Sequence, residues 1–101
     1  MVWDESRGAC DPYNKTTCGA DKFVDVILAD QAASSYVDGI AFHWYADAHT
    51  NTSVLDHLQR TYSKQWILYT EACAGLDENK PDLGNWTRAE QYAHDIIDVK
   101  F

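Results

Sequence analysis

Two stretches of this 101-residue chain bring together side chains that could do chemistry. The first is Trp66–Gly75, WILYTEACAG, in which five aromatic or branched residues run directly into Glu71 and small residues follow. Such a run favours a buried strand, which places Glu71 at its C-terminal tip, where the backbone leaves the sheet. A charge is seldom buried without a task or a partner. In α/β proteins the C-terminal tips of parallel strands are where reacting groups collect. A carboxylate held on a rigid strand tip suits the role of a nucleophile. The second stretch is Asp38–Tyr45, DGIAFHWY, another apolar run ending in His43, Trp44 and Tyr45, with Asp47 and His49 just beyond. Each stretch alone has an ordinary reading. Glu71 could be a solvated or ion-paired strand end, and His43 a satisfied, half-buried histidine.

The elements that would position these groups are legible from period and punctuation. Side chains alternate along a strand, so Ala41, His43 and Tyr45 are expected on one face, and Ile67, Tyr69 and Glu71 on one face of the other. The runs are separated by about one helix and two loops, the spacing of a βαβ unit with parallel strands. His43 and Glu71 then emerge at the same edge. Met1–Trp3 reads as the tail of an earlier strand, ending in Asp4, Glu5 and Arg7. Gly8–Ala20 reads as a loop, and Phe23, Val24, Ile27 and Leu28 as a helix with Asp21 as N-cap. Gln31–Tyr36 adds a short helical turn before a strand over Gly39–Tyr45. Val54, Leu55, Leu58 and Tyr62 describe a further helix, started by Asn51 or Ser53. Ala74–Trp86, with Gly75, Pro81 and Gly84 among charges, is a long loop over the sheet edge. Thr87-Arg-Ala-Glu90 has the form of a capping box, and Ala89, Tyr92, Ala93, Ile96 and Ile97 behind it follow the i, i+3, i+4 pattern.

Taken in order and at this spacing, YVDGIAFHWYAD, WILYTEACAG and LGNWTRAEQYAHDII resemble the catalytic domain of glycoside hydrolase family 30, the glucosylceramidase family. The resemblance covers nearly the whole chain and is weakest across Gly8–Asp21. It implies an α/β fold, part of a (β/α)8 TIM barrel from about strand 5 through helix 7, with parallel strands and helices packed on one side. A complete barrel needs roughly 250 residues, so residues 1–101 are expected to be one fragment of such a domain. Ala41, His43, Ile67 and Tyr69 would then face the barrel lumen. The family's nucleophile maps onto Glu71, and its sugar site onto His43, Trp44 and Tyr45, with Asp4 at the same rim. Trp44 offers an apolar face on which a sugar ring can pack. Retaining glycosidases need a second carboxyl about 5 Å from the nucleophile. The family carries that acid/base Glu in an Asn-Glu-Pro segment upstream of residue 1, so the fragment alone is expected to be inactive. The implied substrate is glucosylceramide or another β-glucoside, in sphingolipid catabolism. The implied partners of the full-length protein are a saposin-type activator and an anionic lipid surface. A non-catalytic carbohydrate-binding domain, using the same aromatics without Glu71, is the alternative.

Composition agrees with a globular chain: 46% hydrophobic and 13% aromatic residues. A formal net charge of −8 gives no electrostatic footprint for nucleic acid. No run of apolar residues is long enough to span a membrane, and MVWDESRG lacks the basic start and apolar stretch of a signal peptide. Cys10 and Cys18 bracket a turn-rich polar segment that a disulfide could close, which leaves Cys73 as a packed free thiol. Asn14, Asn51 and Asn85 each head an N-x-S/T pattern. Both features point to glycosylation and a lysosomal or secreted full-length protein. No cofactor and no metal are expected: the cysteine spacing fits no zinc signature well, and a site built from His43, Asp47 and His49 lacks the helical or hairpin geometry that usually fixes ligands.

Overall fold

Three strands form one parallel sheet in the computed structural model, which describes residues 1–9, 18–45, 47, 50–74 and 82–99. They are β1 (Val2–Ser6), β2 (Gly39–His43) and β3 (Trp66–Glu71), in the order β1-β2-β3. Parallel neighbours need a crossover between them. Here α1 (Ala20–Ala29) and α2 (Gln31–Ser34) connect β1 to β2, and α3 (Ser53–Thr61) connects β2 to β3. α4 (Trp86–Asp98) follows β3. No helix among the described residues is long and apolar enough to cross a membrane.

The core lies on one side of the sheet. Ala20, Val24 and Leu28 of α1, Leu58 of α3 and Ile40 of β2 form a buried cluster, with Val2, Ile67, Val54 and Tyr62 packed against it. Burying each large side chain stabilises by about 1.5–3 kcal/mol. The helical period seen in the sequence thus points α1 and α3 onto the sheet as expected. On the opposite side, Trp66 lies over Gly39, its partner in register. A Cβ at Gly39 would clash with three carbons of the indole ring, so this close approach of the tryptophan depends on glycine.

Register overturns part of the alternation argument. Ile40 pairs with Ile67 and Phe42 with Tyr69, but His43 pairs with Glu71. The shift leaves Thr70 as the extra residue of a bulge. Ile67 and Tyr69 therefore sit with Ile40 and Phe42, not with Glu71. Ile67 packs against the helix-side core, and the Tyr69 ring stacks on Phe42 with centroids 4.6 Å apart. Neither faces a lumen with Ala41 and His43. A second irregularity falls between Trp3 and Glu5, where Trp3 and Asp4 take positive φ values of 79° and 56°. β1 accordingly runs through Asp4 and Glu5 to Ser6 instead of stopping at Trp3. Bulges add one residue and re-aim the side chains beside it.

Helix starts also differ from expectation. The N-cap of α1 is Gly19, with Asp21 inside the first turn. Asp30 caps α2, its carboxylate accepting from Ala32 N and Ala33 N at 2.8 and 3.0 Å. Thr52 is the N-cap of α3 without a side-chain bond, while Asn51 Oδ1 accepts from Ser53 N at 2.8 Å. Asn85, not Thr87, caps α4 by accepting from Arg88 N at 3.2 Å. Glu90 is no capping-box partner; its carboxylate takes the Trp86 indole N–H at 2.8 Å.

Candidate active site

The C-terminal ends of all three strands converge on His43. Its ring is buried at the end of β2, with Nε2 3.2 Å from Asp4 Oδ1 and Nδ1 3.9 Å from Glu71 Oε2. The β1 bulge turns Asp4 toward the imidazole, and the β3 bulge does the same for Glu71. Thr70, the bulge residue, donates its hydroxyl to Asp4 Oδ1 at 2.8 Å. The Thr70 hydroxyl, and then His43, hold the Asp4 carboxyl below its ordinary value. An ionised Asp4 can only accept, so His43 Nε2 carries the proton of that hydrogen bond. Nδ1 is directed toward Glu71, beyond hydrogen-bond distance.

Tyr45 completes the contacts to Glu71 by donating its hydroxyl to Oε2 at 3.3 Å. Loss of hydration, followed by the nearby Cys73 and Glu71, pushes the Tyr45 phenol up to about 12. It remains a donor at every physiological pH. Glu71 itself is open, with its side chain 58% exposed. A carboxylate steadied by one phenol, flanked by an imidazole and accessible at a strand tip, can act as a nucleophile or a proton acceptor.

Asp4, His43, Tyr45 and Glu71 are thus brought together. Trp44 is not: its ring stacks on Tyr92 of α4, centroids 5.1 Å apart and planes 17° from parallel. Both Trp44 and Tyr45 lie past the end of β2, and their rings meet edge-on with centroids 6.5 Å apart. The Tyr92 hydroxyl also accepts a hydrogen bond from Ala74 N at 2.9 Å. Thr70 escaped the sequence argument because a β-branched residue inside a strand reads as packing. Its only signal was adjacency to Glu71. Arg7 pairs neither with Asp4 nor with Glu5 but with Asp47, at 2.9 Å.

Cys73 is free and exposed, not packed. Cys18 is disulfide-bonded; Cys10 lies outside the described residues, as do Asn14 and His49. Asn51 is exposed and Asn85 half-buried. Among the described residues no three His, Cys, Asp or Glu side chains are placed to hold a metal ion.

The model of the glycosyl hydrolase family 30 TIM-barrel domain matches residues 14–100. "Putative glucosylceramidase 4" of Caenorhabditis elegans is 47% identical over 74 residues, 72% of this chain and 14% of that protein. "Putative glucosylceramidase 3" of the same organism is 39% identical over 98 residues, 96% of the chain and 17% of that protein. The lysosomal acid glucosylceramidase of Mus musculus is 37% identical over 79 residues, 75% of the chain and 15% of that protein. The chain therefore spans about a sixth of the length of these curated relatives.

Proposed function

The chain belongs to glycosyl hydrolase family 30, and we propose that it carries the nucleophile segment of a retaining β-glucosidase acting on glucosylceramide. In this reading residues 1–101 are the part of the (β/α)8 catalytic domain from about strand 5 through helix 7. The observation that carries the proposal is Glu71 at the C-terminal rim, accepting from Tyr45 beside the Asp4-anchored ring of His43.

Glu71 attacks the anomeric carbon as the glycosidic bond breaks, and a covalent glycosyl-enzyme forms. Tyr45 holds Oε2 in place for the attack and leaves Oε1 to form the bond. His43 can contact a sugar hydroxyl; Asp4 holds its ring still, and Thr70 in turn steadies Asp4. The carboxyl that protonates the leaving oxygen and later activates water comes from a segment outside this chain. The 101 residues made alone are therefore expected to hydrolyse no β-glucoside, since general acid–base catalysis is worth about 10²–10⁴-fold in rate. Trp44 acts through Tyr92 instead of stacking on the sugar. For the whole protein the proposal extends to a lysosomal or secreted location, a saposin-type activator and an anionic lipid surface, on the family resemblance alone.

The test is mechanism-based labelling. The full-length enzyme containing this segment, treated with a 2-fluoro or epoxide glucoside, should carry the label on Glu71 by peptide mapping. Label on another carboxylate would overturn the assignment.

A further inference from the structure

The donors around Asp4 are unevenly distributed. The Thr70 hydroxyl at 2.8 Å and His43 Nε2 at 3.2 Å both end on Oδ1. Oδ2 takes no hydrogen bond from the described residues, and the side chain is 58% exposed. The same two donors keep the carboxyl ionised, and an ionised carboxylate accepts at both oxygens. Half of its accepting capacity is therefore open. The backbone is bent to hold it there. Trp3 and Asp4 both lie in the left-handed region, at φ 79° and 56°, which aspartate tolerates but a bulky tryptophan seldom visits. Outliers of this kind collect where a side chain is being aimed. On β3 the bulge residue Thr70 supplies the other half of the contact. Its hydroxyl oxygen lies 3.3 Å from Phe42 O of β2 as well as 2.8 Å from Asp4, so Thr70 ties β3 to β1 over the end of β2. Irregularities on two strands thus meet in one hydrogen bond, and the atom that this bond leaves free is a charged acceptor. A carboxylate that was merely solvated would need neither.

We propose that Asp4 Oδ2 accepts a hydrogen bond from a hydroxyl of the sugar ring, with Thr70 as the positioning residue that holds the carboxylate for this contact. The proposal rests on the reading of Glu71 as the nucleophile of a glucosidase. Asp4 and Glu71 lie against different nitrogens of the His43 ring, Asp4 at Nε2 and Glu71 at Nδ1. One carboxylate then meets the anomeric carbon, and the other meets a hydroxyl elsewhere on the same pyranose. A charged acceptor discriminates sharply, because a sugar that lacks the hydroxyl leaves the carboxylate desolvated and unpaired. Asp4 would therefore set which sugar is accepted, while Glu71 carries out the displacement.

The test measures kcat/KM of the full-length enzyme on an aryl β-glucoside and on its monodeoxy analogues. Each substrate is compared between wild type and variant, so the intrinsic effect of deoxygenation cancels. Wild type should lose about 10- to 100-fold on one analogue, the range for a hydrogen bond to a charged group. Asp4→Asn tolerates the left-handed backbone, and its amide oxygen can still accept from Thr70 and His43, so the change falls on Oδ2. It should lower the parent glucoside by a similar factor and leave the sensitive analogue within a few-fold. Thr70→Val keeps the shape without the hydroxyl and should narrow the same gap by a few-fold; Thr70→Ser should restore it. If Asp4→Asn fails to fold, the two Thr70 variants decide. A purely structural role lowers every substrate by one factor, and that pattern would overturn the proposal. A wild type that penalises no analogue by more than a few-fold would overturn it as well. Labelling of Glu71 is run alongside: label on another carboxylate would overturn the nucleophile reading, and the analogue series would still decide whether Asp4 holds a hydroxyl.

Discussion

β2 and β3 are neighbours in one sheet, yet all five residues of β2 are buried while none of the six in β3 is. The contrast continues into the helices. α1 and α3 press Val24, Leu28, Leu55 and Leu58 into buried positions, whereas α4 has no buried residue and leaves Ile97 69% exposed. One half of the molecule is held by apolar packing. The other is attached through the β2–β3 ladder, Ile67 at the edge of the core, the Tyr69–Phe42 stack, and the contacts of Tyr92 with Trp44 and Ala74. The candidate site straddles the boundary, with His43 in the packed half and Glu71 in the tethered half. Packing fixes where the imidazole sits; pairing with β2 and the bulge at Thr70 set where the carboxylate sits.

The comparison is easiest to break in the core. Leu58→Ala should cost about 2–5 kcal/mol, the usual range for truncating a buried leucine. Ile97→Ala in α4 should stay within about 0.5 kcal/mol. Urea unfolding of the 101-residue chain, followed by tryptophan fluorescence, measures both. Equal losses would mean that the two halves are not built differently after all.

Next in size is the cap of α4. Asn85→Ala removes the acceptor for Arg88 N and should cost about 0.5–2 kcal/mol. Amide hydrogen exchange should speed up in α4 and stay slow in β2; acceleration of both together would contradict separate anchoring. Tyr92→Phe keeps the stack on Trp44 and deletes the bond from Ala74 N. Its expected cost is about 0.5–1.5 kcal/mol, felt in exchange of the Glu71–Ala74 backbone.

The smallest effects belong to the glycosylation motifs. Asn85 spends its side chain on Arg88 N and on Asp82, whereas Asn51 is exposed and gives only its oxygen to Ser53 N. Glycan is therefore expected at Asn51 in preference to Asn85 in secreted material, by glycopeptide mass spectrometry. Asn51→Gln should change stability by less than about 0.5 kcal/mol.

Much of this arrangement can be read from the residues, because three of its rules are periodic. The 2-residue repeat and branched side chains mark β2 and β3, the 3.6-residue repeat marks α1, α3 and α4, and the spacing between runs implies parallel strands. Glu71 at a strand tip beside His43 follows from those rules. What they miss is aperiodic. Nothing in Trp3-Asp4-Glu5 or Tyr69-Thr70-Glu71 announces an extra residue, since neither bulge uses a glycine. Each nevertheless turns a carboxylate of the candidate site toward His43. The observed caps lie one or two residues from those the sequence suggests for a related reason, since several Asn, Asp, Ser and Thr side chains compete at each helix start. An aromatic at a rim, Trp44 invites reading as a sugar platform; its stacking partner Tyr92 lies 48 residues away, beyond any local pattern.

The central claim is that Glu71 attacks the sugar. Glu71→Ala in the full-length enzyme, given an activated β-glucoside and azide, tests it most directly. With the nucleophile gone, azide can enter from the vacated face, so one displacement replaces two. The predicted product is the α-glucosyl azide, with negligible turnover when azide is absent. Wild-type turnover by Glu71→Ala without azide, with retention of configuration, would contradict the claim.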